Sequence, residues 1–450
     1  MKTLIRGGRV MDPANRVDAV LNILIEDGKI AWVGGGTPEA DRVIDASGKI
    51  VAPGFIDIHM HEDPVGEDGS IRFCIFENML RMGVTTAVGG NCGINEYDPV
   101  EYLNIVDRDG APVNVAMLAG HEYFRRAAGA LDKYAHATEA QKNAMVEGVR
   151  KALEGGCAGL SFGLRYVPGV DQDEFYRTAA CCVPGRKLIS AHVRDDADSI
   201  FGAIDEFMQA GVKFGLPVQI SHIGSMGGFG QMDAVLRQVD EYCLNGLDAG
   251  IDCYPYFAFS TEVGATTYDD GWLERYHCDY SALEFSEGKY KGQRATKETF
   301  EEMRRDCPEY LTVCYVMKPE DIEKAYRHPR VMVASDGILD DGQGHPRAAG
   351  TFPRFIAEFV RKGDVSLYTA IEKMTAMPAA RLGLVNKGRL NAGADADVVI
   401  FDYDKITDHA TFAEPMLPPE GIDWVLVGGE IAARDCRIVN GRCGRAVRAR

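Results

Sequence analysis

The sequence predicts an α/β protein whose central part is a (β/α)8 TIM-type barrel flanked by β-rich chain ends. Three observations predict it. Short apolar runs such as VNVAMLAG, KLISAH, PVQISH and RVMVASDG alternate with helical segments such as ATEAQKNAMVEGVRKALEGG and SIFGAIDEFMQAG. That alternation belongs to a parallel sheet closed on itself. Each of these strands ends in a polar residue, as barrel strands do on their active-site face. The first fifty and last sixty residues instead hold short strands punctuated by turns.

The N-terminal elements are LIRGGRVMD, LNILIEDGKIAWVGG and RVIDASGKIVAPG, with EDGK and ASGK read as hairpin turns. The barrel is expected over residues 53–385. Within it, residues 262–318 break the strand–helix rhythm with aromatic and charged residues, and read as an inserted lid over the barrel mouth. Residues 386–450 return to β texture in ADVVIFDYD, WVLVGGEIA and CRIVNGR. A chain of 450 residues accommodates all of this.

A net charge of -18 argues against nucleic acid or an anionic membrane as partner, because both require basic surface. No secretion signal and no apolar stretch of membrane-spanning length is apparent. The twelve cysteines are scattered without disulfide spacing, so a cytoplasmic protein with reduced thiols is expected. Cys181 and Cys182 read as core packing. The expected partner is a small-molecule substrate, and the acidic surface is compatible with a monomer or a homodimer.

The strand ends carry the chemistry. His59 and His61 follow FIDI, Cys92 lies in VGGNCG, His192 follows LISA, His222 follows VQIS and Asp336 follows VMVAS. Alternate residues of a strand share one side, so the HxH pair presents both imidazoles together. In a barrel all six converge on one rim. Imidazoles, a thiol and a carboxylate suit a divalent transition metal: zinc first, with iron or cobalt admitted by ligand type. Asp336 is the candidate proton carrier beside the metal. His121, His136, His277, His328 and His409 are expected to be structural.

These residues, with PGFIDIHMH and the closing segment TAMPAARLGLVNKGRLNAGADADVVIFD (375–402), resemble the amidohydrolase superfamily. The likeness covers nearly the whole chain. More narrowly, GGNCGIN, GLSFGLRYVPG, AHVRDD, QISH, DCYPYFAFST, ASDG and HPRAAGTFPRF resemble N-acyl-D-amino-acid deacylases, the D-aminoacylase branch. The resemblance implies that the termini build a small β-sandwich, residues 1–52 with 386–450. It implies that Cys92, His192 and His222 hold one tight zinc ion, while His59, His61 and Asp336 line a second, weak or empty site. It also implies that Asp336 is the general base and acid, and that Tyr254 and Ser260 touch the substrate, Tyr254 polarising the scissile carbonyl. Arg347 matches a carboxylate-binding arginine, and Arg194 or Arg165 is expected to contribute.

Two departures bear on specificity. Hydantoinase-like and dihydroorotase-like relatives carry a carboxylated lysine on strand four, but CAGLSFGL has none. Deacylases usually place a lysine two residues after the strand-six histidine, where this chain has Gly224. The glycines at 224, 227, 228 and 230 are expected to form a flexible rim. Deacylation of N-acyl-D-amino acids is the leading expectation. A cyclic amidase or other C–N hydrolase, a deaminase, and a non-catalytic metal-binding scaffold are the alternatives. The acyl group, the amino-acid side chain and the number of metals stay open at this level.

Overall fold

The computed structural model describes residues 1–449. Both chain ends contribute to one nine-stranded sheet. The N-terminal part supplies Lys2–Asp12, Val17–Glu26, Lys29–Gly34, Arg42–Asp45 and Ile50–Pro53. The C-terminal part supplies Val398–Phe401, Ile422–Val427, Glu430–Arg434 and Arg437–Ile438. They meet where Val398–Phe401 runs antiparallel to Ile50–Pro53, pairing Val398 with Pro53 and Phe401 with Ile50. Hydrogen bonding thus links the terminal strands into one continuous sheet rather than two. Ile5, Ile23, Val51, Val398, Ile400 and Leu426 face a core of their own, each at most 1 % exposed. Burying each such aliphatic side chain contributes about 1.5–3 kcal/mol.

EDGK forms the expected hairpin: Asp27 and Gly28 both have positive φ, 51° and 75°, and Glu26 pairs with Lys29. ASGK does not. The strands on either side of it both run parallel to Lys2–Asp12, so the turn steps the chain along one neighbour instead of reversing it. A bulge between Ile5 and Gly8 makes room for that step.

The middle of the chain holds parallel strands with helices between them. Phe55–Asp57, Val84–Gly89 and Asn114–Met117 form one arc. Ala119–Gly120, Gly159–Gly163, Leu188–His192, Val218–Ile220, Ala249–Cys253 and Val331–Val333 form another. Their residues are buried throughout, the pattern of strands covered on both faces. Only Leu118 separates the arcs in sequence at one end. At the other end Met60 bridges Gly337 in parallel, with His61 N donating to Gly337 O at 2.9 Å and Asp336 N donating to His59 O at 2.7 Å. The helices start where capping chemistry allows. Asp98 accepts from Val100 N and Glu101 N ahead of Pro99–Asp109, and Thr138 with Gln141 closes a capping box on Glu139–Glu154.

The expected insertion carries a three-stranded sheet and packs on the main core. Leu311–Cys314 pairs antiparallel with both Phe259–Glu262 and Leu283–Phe285. The rings of Tyr268, Trp272, Tyr280 and Phe300 pack together above this sheet's neighbouring helices. Among the described residues no helix is long and apolar enough to cross a membrane.

Candidate metal centre and substrate cleft

The C-terminal ends of the parallel strands bring the polar residues together. One ligand atom each from His59, Cys92, His222 and Asp336 lies within 4.8 Å of every other, and all four residues are buried. His59 Nε2 stands 3.3 Å from Cys92 Sγ and 3.3 Å from Asp336 Oδ1. His222 Nε2 is 3.4 Å from Cys92 Sγ, and His61 Nε2 is 3.2 Å from Asp336 Oδ1. These distances draw no boundary between the two expected sites, because His59 faces the thiol and the carboxylate equally.

Three of the four central residues hold left-handed backbone: Cys92 at φ 54°, His222 at 34° and Asp336 at 49°. Such a conformation costs a non-glycine residue of order 1–3 kcal/mol and persists where the surroundings impose it. Each bends the chain just past its strand, which turns the side chain inward to the shared centre. Asp252 holds two of the imidazoles in place. Its Oδ1 meets His59 Nδ1 at 3.1 Å and accepts from His222 N at 2.7 Å, while Gln219 Nε2 donates to Oδ2 at 2.9 Å. Ser225 Oγ meets His222 Nδ1 at 2.9 Å. With their Nδ1 atoms engaged, both rings direct Nε2 at the centre.

His192 is 5 % exposed and packs between Tyr166 and His222, with ring centroids 4.5 and 4.6 Å away. Neither of its ring nitrogens has a hydrogen-bond partner. An unpaired buried polar group costs about 1–3 kcal/mol, although His192 is not one of the four residues whose ligand atoms cluster within 4.8 Å. A cation beside the Cys92 thiolate answers that need, and nitrogen, sulfur and oxygen donors fit a divalent transition ion. Burial alone would push the Cys92 thiol up, but His59 and His222 carry it well below its ordinary value, toward the thiolate a metal requires. Burial would likewise raise Asp336, yet Arg347, His222 and His59 hold it well below the usual carboxylate range. Burial disfavours a charged His61, but the hydrogen bond to Asp336 lifts the ring to about 9.

A narrow cleft opens beside this centre. Tyr254, Ser260, Arg347, Tyr166, Met226 and Phe259 help to line it. Arg347 is fully buried, not a surface residue. Its Nη1 pairs with Asp336 Oδ2 at 2.9 Å, its Nη2 donates to Ser260 O at 3.4 Å, and its guanidinium lies 4.7 Å over the Tyr254 ring. Arg347 Nε and Ser260 Oγ have no hydrogen-bond partner. Burial pushes the Tyr254 hydroxyl up, which keeps it a donor. His345 sits beneath: Arg347 N donates to its Nδ1 at 3.0 Å.

Two expectations need correction. Arg194 does not reach the cleft. Glu206, on the helix that follows, takes its Nε at 2.8 Å and its Nη2 at 2.8 Å, and Val170 O accepts from Nη2 at 2.9 Å. Arg165 is held outside by Asp195 at 2.8 Å. The glycine run is not a flexible rim, since Ile223–Gly227 is a buried short helix. A Cβ on Gly224 would lie 2.7 Å from Ile322 Cδ1 and 3.0 Å from Met317 Cε, so this position faces packed side chains and not an open rim. Asp252, Ser225, Tyr166 and His345 escaped the sequence reading. Asp252 alone carried a signal, as an acid inside an otherwise apolar strand two residues before Tyr254. The five histidines expected to be structural stay outside the cleft. His121 pairs with Glu174 and His328 with Asp240, for example.

A larger cavity lies at the opposite, N-terminal ends of the strands, lined by Lys187, Arg330, Arg381 and Lys387. Its cations are already bound to acids or carbonyls, and no metal-type cluster accompanies them among the described residues.

A family model described as the amidohydrolase family matches residues 42–162 and 76–433. The chain is 33 % identical to an N-acyl-D-glutamate deacylase of Alcaligenes xylosoxydans xylosoxydans, over 95 % of this chain and 92 % of that one. It is 29 % identical to a D-aminoacylase of the same organism, over 99 % and 97 %. Among solved structures it matches the N-acyl-D-glutamate deacylase of Bordetella bronchiseptica at a TM-score of 0.89. That match has 30 % identity, covers 99 % of both chains, and is to a complex with zinc and a phosphonate inhibitor that mimics the tetrahedral intermediate.

Proposed function

The chain belongs to the amidohydrolase family, and on that premise we propose that it removes the acyl group from N-acyl-D-amino acids, releasing a carboxylate and a free D-amino acid. The observation that carries this reading is the cleft itself: a buried cluster of metal-type donors beside an arginine and a serine with unpartnered polar atoms. We assign Cys92, His192 and His222 to a tight zinc ion, and His59, His61 and Asp336 to a second, weaker position. When bound, the ion supplies Lewis acidity to the scissile carbonyl and to the attacking water.

The protein groups do the rest. Asp336 accepts the proton of the attacking water as its oxygen bonds to the carbonyl carbon. Asp336 then returns that proton to the nitrogen as the C–N bond breaks. Arg347 orients the Asp336 carboxylate through Oδ2 and offers its free Nε to the substrate carboxylate, with Ser260 Oγ beside it. The Tyr254 hydroxyl donates to the carbonyl oxygen as negative charge develops there. No observation favours a cyclic amidase: Gly159–Gly163 contains no lysine to bridge two metals.

The same reading proposes that, with Asn114–Met117 and Ala119–Gly120 taken as one interrupted strand, the two parallel arcs make one eight-stranded barrel over residues 53–385, supported by the Met60–Gly337 bridge. It proposes that residues 1–52 and 386–450 curl into a small sandwich around their shared core, that residues 262–318 act as a lid, and that the protein works in the cytoplasm. The functional test is steady-state turnover by the zinc-loaded protein of N-acetyl-, N-formyl- and N-succinyl-D- and L-amino acids, with hydantoin and dihydroorotate alongside. Turnover of D compounds alone is expected. Turnover of a cyclic amide without them would overturn the reading.

A further inference from the structure

Resting on the deacylase reading above, we infer that the cleft admits N-acyl-D-amino acids with a single carboxylate and an uncharged side chain. The ion pair of Asp196 with Arg275, which the inserted segment supplies, leaves no cation in the wall for a second carboxylate. Among the described residues that line the cleft, Arg347 is the one guanidinium or ammonium. It is already shared with Asp336, and its remaining capacity suits one carboxylate. A substrate with a second carboxylate needs a second cation.

The rest of the wall offers none. Met226, Phe259, Thr261, Thr267 and Tyr276 are neutral, and the Asp196 charge is balanced by Arg275. Asp196 is 1 % exposed. Tyr276 Oη donates to its Oδ2 at 2.6 Å, and Arg275 Nε lies 2.9 Å from its Oδ1. Both partners belong to the inserted segment, so the segment that walls the cleft also fixes its acid. Arg275 is not free for a substrate, since Asp196 holds its Nε and Thr267 O accepts from its Nη2. Arg165 is not part of the cleft lining, and its Nη atoms go to Asp195 and Thr266 O. From Ser260 to Gly271 the chain reads STEVGATTYDDG, with three acids and no lysine or arginine. A second carboxylate entering this wall would lose its water and find no cation, and an unpaired buried charge is costly, so dicarboxylates are selected against. The N-acyl-D-glutamate deacylases similar to this chain are named for a dicarboxylate, but this cleft lacks the charge to receive one.

The test compares kcat/KM of the zinc-loaded enzyme for N-acetyl-D-leucine, -D-methionine and -D-phenylalanine with that for N-acetyl-D-glutamate and -D-aspartate. The neutral series is expected to lead by about 100-fold or more. Thr261→Lys places a cation in the wall, and Asp196→Asn removes the acid while keeping its shape. Each is expected to raise the glutamate-to-leucine ratio by about tenfold. A wild-type preference for either dicarboxylate, or a ratio that neither variant moves, overturns the inference and leaves the deacylase reading standing. Silence with every N-acyl-D-amino acid overturns both.

Discussion

The two ends of the parallel strands use the same residue types to opposite effect. At the N-terminal ends, buried cations are fully satisfied. Lys373 Nζ donates to His328 O at 2.6 Å and Val331 O at 2.8 Å, Lys187 Nζ donates to Cys157 O at 2.9 Å, and Arg381 Nη1 donates to Asp248 Oδ1 at 2.8 Å. At the C-terminal ends, both His192 nitrogens, Ser260 Oγ and Arg347 Nε are left without partners, and Cys92, His222 and Asp336 sit in left-handed backbone. One end is closed by its own hydrogen bonds. The other leaves polar atoms unpartnered and backbone strained, which is what the proposed ligands would answer. Cavity size alone would have pointed to the wrong end. Unsatisfied atoms and strained backbone point to the right one.

That contrast breaks most sharply at Asp336. Asp336→Asn should lower kcat by about 10²–10⁴-fold, the range of a general acid–base group, while metal content measured by atomic emission stays near that of wild type. Activity near normal in this variant would remove Asp336 from its assigned role.

The closed end should answer through stability and pH instead. Burial lowers Lys373 from 10.5 to about 8. Between pH 8 and 10.5 the unfolded chain holds a proton that the folded chain has lost, so this group's contribution to stability rises with pH across that window. Below pH 8 both states are charged and the contribution is flat. The rise amounts to about 3 kcal/mol. It should be present in wild type and absent in Lys373→Met when unfolding free energies are compared at each pH, with kcat/KM unchanged at pH 7.5.

Asp252 tests whether the open end is held by its supporting residues. Asp252→Ala releases His59 Nδ1 and His222 N, and zinc affinity in a competitive chelator titration should fall by about 10–100-fold. The smallest expected effect is at Tyr254, which offers a single neutral hydrogen bond. Tyr254→Phe should lower kcat by about tenfold, with little change in KM.

The open end was legible in the sequence because its polar residues interrupt apolar runs. His59, His192, His222 and Asp336 stand out where an alternating or continuously apolar strand stops. The supporting residues were not legible for physical reasons. Arg194 looks free until Glu206, one helix away in sequence, is folded against it. Gly224 looks like a rim residue until Ile322 and Met317, about a hundred residues later in the chain, close over it. ASGK has hairpin composition, but its flanking strands find a third strand, Lys2–Asp12, before each other. Local pattern reports what a residue is, whereas these outcomes depend on what the chain returns later in the fold. The terminal sheet was readable as β texture, and the Val398–Phe401 pairing with Ile50–Pro53 is the long-range fact that texture alone does not contain.

The most direct measurement is a zinc titration of metal-stripped protein, following bound zinc and hydrolysis of N-acetyl-D-leucine together, with N-acetyl-L-leucine as the control. The account predicts that D-turnover rises in proportion to the first zinc bound, that the L compound stays untouched, and that Cys92→Ser loses both the zinc and the activity. Full D-turnover in the stripped protein, or zinc binding indifferent to Cys92→Ser, would contradict it.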